Sequence, residues 1–241
     1  MRKVIAAVVI AACAASSGCS RSRDENAGPT VSRNYQVGNF TEIEVAGPYD
    51  VEVRTGAKPG VSAQGSQKLL ERTVVEVRDG KLLIRPERER SFHWGWSSRG
   101  KARFAVTVPR LSAATVAGSG DIRVSDVRGD RFEGSVAGSG GLNVDSLDVQ
   151  SLKLAIAGSG EVKALKGRAQ NASFDIGGSG DIDARGVQAQ TAEVSIAGSG
   201  SVAAHASGTA DVSIAGSGDV DVTGGAKCKV SKAGSGNVRC S

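Results

Sequence analysis

The chain has 241 residues, with 33 Gly but only five Phe, two Tyr and two Trp. So few large side chains exclude one thick core and favour many thin layers filled by Val, Ile, Leu and Ala. The net charge of +5 includes Arg2 and Lys3, which leaves +3 from Cys19 onward, and the charges are interspersed rather than gathered into the basic stripe that nucleic-acid binding calls for.

Met1-Arg2-Lys3, an apolar run from Val4 to Ala15 and small residues up to Cys19 read as an export signal over 1–18. The run is too short to be a permanent transmembrane helix. Ser16-Ser17-Gly18-Cys19 resembles the lipobox of bacterial lipoproteins, although Ser16 stands where that motif usually has Leu. The resemblance implies lipidation of Cys19 and a membrane anchor, with Ser20 pointing to the outer membrane. Two other readings stay open. Ile10-Ala11-Ala12-Cys13 fits the local pattern better but leaves a shorter apolar stretch, and plain secretion needs no lipid at all. Residues 19–34 are polar, contain Gly28-Pro29, and read as a tether.

From 35 to 110 strand signals recur without a fixed period: Ile43-Glu44-Val45, Val51-Glu52-Val53, Thr73 to Val77, Leu82 to Ile84 and Phe104 to Val108. Atypical terminal rungs of a stacked array account for them, since such rungs cap the stack; a separate small β-domain is the alternative. Between these strands, residues 86–101 hold both Trp residues. His93, Trp94, Trp96 and Arg99 are the candidate contacts for a glycan or a surface protein, because Trp and Arg are favoured anchors. A loop folded over the open end of the stack is the structural alternative.

From 111 to 241 a repeat dominates. Gly-Ser-Gly begins at Gly118, Gly138, Gly158, Gly178, Gly198, Gly216 and Gly234, at steps of 20, 20, 20, 20, 18 and 18 residues. Around each motif apolar residues alternate with period two. Val116, Val136, Ile156, Ile176, Ile196 and Ile214 form one inward column, and Ile122, Leu142, Val162, Ile182, Val202, Val220 and Val238 another. Leu154, Phe174, Val194, Val212 and Val230 add a column on the entering strand. Val124, Val144, Ala164, Ala184, Ala204 and Val222 add one on the leaving strand. This predicts an all-β chain: a parallel β-helix with rungs of 18–20 residues, occupying 35–241 as one domain. Rungs about 4.8 Å apart would extend roughly 34 Å over seven copies. The change from 20 to 18 residues is expected between a leaving strand and the next entering strand.

Cys228 and Cys240, an even pair in an exported chain, predict a disulfide. Register sets them against Ala210 and Val222, and Lys232 against Ile214, so the stack is expected to end there. The column after each motif, Asp121, Gly141, Glu161, Asp181, Ser201, Asp219 and Asn237, places acids on adjacent rungs only at Glu161 and Asp181. Calcium needs several converging oxygen ligands, so turn capping is the expected role and no metal or cofactor is predicted.

Phe40-Thr41-Glu42-Ile43-Glu44-Val45-Ala46-Gly47-Pro48-Tyr49-Asp50-Val51, Asp79-Gly80-Lys81-Leu82-Leu83-Ile84 and Val106-Thr107-Val108-Pro109-Arg110-Leu111, together with the Gly-Ser-Gly repeats, resemble the adhesin head GIN domain family of bacteria over Tyr35 to Cys240. The resemblance implies a right-handed parallel β-helix shaped like the pectin lyase helices and a role in cell adhesion; it maps no catalytic residue. His93 and His205 are the only histidines, and no Ser-His-Asp order or metal spacing emerges. A noncatalytic envelope module is therefore the leading expectation. The alternatives are a carbohydrate-active β-helix such as a polysaccharide lyase, with acids and bases on one outer face, and a purely structural envelope protein.

Overall fold

Alternating apolar residues bounded by glycine corners fold as short strands that stack in parallel, one rung upon the next. The computed structural model describes residues 29–87 and 102–241. The strands in chain order are β1 (Thr30–Tyr35), β2 (Glu42–Ala46), β3 (Tyr49–Thr55), β4 (Gly60–Ser66), β5 (Thr73–Arg78), β6 (Lys81–Pro86), β7 (Ala102–Val108), β8 (Ala113–Gly118), β9 (Asp121–Val124), β10 (Val127–Gly138), β11 (Gly141–Val144), β12 (Leu147–Gly158), β13 (Glu161–Ala164), β14 (Gly167–Gly178), β15 (Asp181–Gly198), β16 (Ser201–Gly216), β17 (Asp219–Thr223), β18 (Lys227–Gly234) and β19 (Val238–Cys240). One short helix, α1 (Gln67–Glu71), precedes β5.

The regular part is a parallel β-solenoid. Val136 pairs with Val116 and Ile156, Ile176 with Ile156 and Ile196, and Ile214 with Ile196, so the predicted column is continuous. All six are buried, as are Ile122, Leu142, Val162, Ile182, Val202 and Val220 across the corner. Each rung thus buries small aliphatic side chains from opposite walls. Within each rung, sheet A denotes the strand that runs into the Gly-Ser-Gly corner and sheet B the one that leaves it, and the return joins sheet B to the next sheet A strand. The shortening falls on that return. Ala184 pairs with Ala204, Gln188 with His205 and Thr191 with Thr209, so the register slips by three residues and regains one while the corner is untouched.

The N-terminal part departs from end-to-end stacking. The rung of β2 and β3 lies between two others: β8 and β9 pair with it on one side, β6 and β7 on the other, all in parallel. The second rung in the chain is therefore the terminal one, and the third returns past the first. Antiparallel strands close this end, with β5 on β6, β4 on β7 and β1 on β4. Antiparallel pairing allows the short connection Asp79-Gly80, whose two residues have φ of 51° and 76° and make the tight hairpin turn. Helix α1 buries Leu69 and Leu70. Thr73 ties it down: its hydroxyl donates to the Leu69 carbonyl at 2.7 Å and lies 3.1 Å from the Tyr49 hydroxyl.

At the other end the core thins out. Val212 is buried, but Val230 in the same column is 47% exposed and Val238 is only half-buried, because β18 and β19 form the outermost rung among the described residues.

Candidate interaction surface

The corner is set by backbone chemistry. The first glycine of every motif has φ between +128° and +138°, a region that L side chains rarely adopt. The serine N–H donates to the first glycine carbonyl of the preceding rung, as from Ser159 to Gly138 and from Ser199 to Gly178, at 2.9 and 2.8 Å. A Cβ on the last glycine would lie 2.5 Å from the carbonyl oxygen below it at Gly160 and at Gly180. Both glycines are thus demanded by stacking, while the serine side chains stand exposed along one edge.

Outside sheet A a groove of about 970 Å³ runs across the later rungs. Lys153, Asn171, Thr191, Glu193, Asp211 and Lys229 line it among smaller side chains. These residues alternate with the inward column, so they stand on the outer face by strand geometry alone. The Thr191 hydroxyl donates to Asn171 Oδ1 at 2.9 Å, and Lys153 approaches Asp175 at 4.0 Å. The charge along this face is irregular: Glu133, Lys153, Ser173, Glu193, Asp211 and Lys229 form one pairing column, of which all but Glu133 line the groove. The period-two alternation places these positions outward but carries no sign of a hollow there.

The outer face of sheet B carries Asp121, Glu161, Asp181, Asp183, Asp219 and Asp221. The column after the motif does not cap its own turns. The Ser201 hydroxyl donates to Asp181, and Asn237 donates to Asp219 Oδ1 through its backbone N–H at 2.9 Å and its side-chain amide at 3.0 Å. Equivalent residues of parallel neighbours are close enough for a carboxylate to reach the next rung before it reaches back. Elsewhere on this face Lys163 pairs with Glu161 at 2.6 Å. Arg185 donates to both oxygens of Asp183 at 3.0 and 2.6 Å, and this fork holds the Asp183 carboxyl below its ordinary range. Among the described residues, no group of three or more His, Cys, Asp or Glu side chains gathers as a metal site would.

The predicted site residues fall into two sets. Cys228 and Cys240 form a disulfide with Cα atoms 6.6 Å apart, against Ala210 and Val222 as the register requires. Cys19, His93, Trp94, Trp96 and Arg99 lie outside the described residues. Pro86 and Ala102, which flank the aromatic segment, end β6 and begin β7. Their rung neighbours are joined by the Gly47-Pro48 corner, which is stacked on the Gly-Ser-Gly column through the N–H of Gly47 and the carbonyl of Ala117. Among the described residues no helix is long and apolar enough to cross a membrane.

The family model described as "Putative auto-transporter adhesin, head GIN domain" matches residues 39–226. Three solved structures share the fold. A "putative adhesin" from Bacteroides fragilis is 23% identical with a TM-score of 0.80, over 88% of this chain and 97% of its own. A "putative lipid binding protein" from Parabacteroides distasonis is 26% identical with a TM-score of 0.69, over 89% and 97%. A "putative adhesin" from Parabacteroides merdae is 19% identical with a TM-score of 0.67, over 89% and 97%. No curated protein matches the sequence.

Proposed function

The chain belongs to the head GIN domain family of auto-transporter adhesins, and from that premise we propose that it is a noncatalytic surface module. It is exported by residues 1–18, held to the outer membrane by lipid on Cys19, and contacts a glycan or a surface protein. The observation that carries this reading is the groove on sheet A. A solenoid fixes its backbone by stacking, and the outward side chains are free to serve recognition. The aromatic segment with His93, Trp94, Trp96 and Arg99 supplies a second contact in this reading.

The test combines glycan-array and envelope-protein binding with an assay for new reducing ends or unsaturated sugars. Binding without turnover is expected, and it should be lost in Thr191→Trp/Ser213→Trp, which fills the groove, and weakened in Trp94→Ala/Trp96→Ala. Turnover would make the protein a carbohydrate-active enzyme; silence on every array would leave a structural envelope role. Because one similar structure is named as lipid-binding, phospholipid vesicles belong on the array. For the anchor, metabolic labelling with a radioactive fatty acid should mark the wild-type chain and not Cys19→Ala; a label that survives this change overturns that assignment.

A further inference from the structure

We propose that the last rung is a built end-stop, which keeps the C-terminal edge of the solenoid from taking a strand from a second copy of this chain. An unpaired sheet edge is a template for strand addition, and the N-terminal edge is already closed by antiparallel strands and α1. Among the described residues no strand or helix covers the C-terminal edge, β18 and β19, and its protection lies in three substitutions against the repeat.

The first is Lys232, in the column of Ile214. In five rungs the carbonyl of the last corner glycine accepts the N–H that opens the next leaving strand: Gly120 from Gly141, Gly140 from Glu161, Gly160 from Asp181, Gly180 from Ser201 and Gly200 from Asp219, at 3.1–3.2 Å. Gly236 is the corresponding glycine of the last rung, and the Lys232 ammonium donates to its carbonyl at 2.6 Å. One side chain therefore covers the acceptor that would register another rung and puts a charge where that rung would bury an aliphatic group. The other two are Cys228 and Cys240. They replace Ala210 and Val222 of the inward columns and cross the open end of the core from sheet A to sheet B. Lys227, Lys229 and Arg239 stand around them, and residues 227–241 contain no acid, so two such ends repel each other.

The experiment restores the repeat. Lys232→Ile with Cys228→Ala and Cys240→Val returns all three columns to the residue types of the rungs before. Mass is measured by light scattering on size-exclusion chromatography over a concentration series. The wild type should keep one mass throughout, and the triple variant should at least double it as concentration rises. Lys232→Met, which keeps the disulfide and only uncovers Gly236, should show a smaller rise. Adding Val230→Lys to the triple variant should return it to the wild-type mass. If the variants melt earlier but keep the wild-type mass, the rung is only a staple and the proposal fails. It fails equally if association survives Val230→Lys, since the contact then lies elsewhere. Should the triple variant not fold, Lys232→Met alone decides: an unchanged mass overturns the end-stop.

Discussion

The costs within the corner motif can be separated by two glycine substitutions inside it and one at Gly129 outside it, because position and conformation differ among the three. At Gly129 φ is +152° and an added Cβ meets nothing within 4 Å, so Gly129→Ala carries only backbone strain, about 1–3 kcal/mol. At Gly160 the problem is space alone. Its new Cβ would lie 2.5 Å from both the Gly140 oxygen and a Val136 methyl, and forcing them apart costs about 1–3 kcal/mol. Gly158 combines the two, with φ of +132° and the Gly138 carbonyl carbon 3.1 Å from the Cβ, so Gly158→Ala should cost roughly 4 kcal/mol, near the added costs of the other two. That is a large share of a domain's stability, about 5–15 kcal/mol. Ser159→Ala touches only an exposed hydroxyl and should stay within about 0.5 kcal/mol of wild type. Urea unfolding followed by far-ultraviolet circular dichroism measures all four with the disulfide intact. If Gly158→Ala unfolds at the wild-type midpoint, or Ser159→Ala is as damaging, stacking does not dictate the motif and the hydroxyl column has to be given the larger role.

Breaking the Cys228–Cys240 bridge, by reductant or by Cys228→Ser/Cys240→Ser, should lower unfolding stability by about 3 kcal/mol in the chain-entropy model for so short a loop; equal midpoints with and without reductant would refute this. Asp183→Asn should cost under about 1 kcal/mol at neutral pH, because the Arg185 pair is solvent-screened. The Asp183 carboxyl titrates lower in the folded chain than in the unfolded one, so its contribution is complete above the unfolded value and lost as pH falls through the folded one. Parallel acid titrations should therefore show the wild type and Asp183→Asn converging below the ordinary carboxylate range; a gap that widened on acidification would contradict the sign.

The regular rungs were legible because one period of 20 residues carries two independent signals, a corner and an alternation, and both must agree for stacking to work. The N-terminal rungs lack that redundancy. Asp79-Gly80 between two apolar runs was a readable hairpin signal, yet a hairpin does not by itself show that β6 and β7 stack outside β2 and β3 while β8 and β9 stack inside. That order depends on which edge each returning strand meets, a long-range choice that no local pattern encodes. The burial of Val230 was overestimated for a related reason: inward-facing and covered are the same thing only where a further rung follows. The groove escaped notice because alternation says that a residue points outward but not whether the surface there is hollow.

Seven copies in one chain also let structural constraint be separated from recognition. The corner glycines never change, whereas the outward column from Glu133 to Lys229 runs acidic, basic, neutral, acidic, acidic, basic. A ligand with the strict spacing of a crystal surface would be met best by a column that repeats with the rungs, since every 4.8 Å step, about one strand spacing, would present the same group. The column does not repeat, although a repeat would have been the easiest thing for this fold to supply. The face is suited instead to a partner whose own charges vary along its length, such as a protein segment or a heteropolymeric glycan, and a charge reversal at Lys153 or Glu193 should then change which partner is bound as well as how tightly.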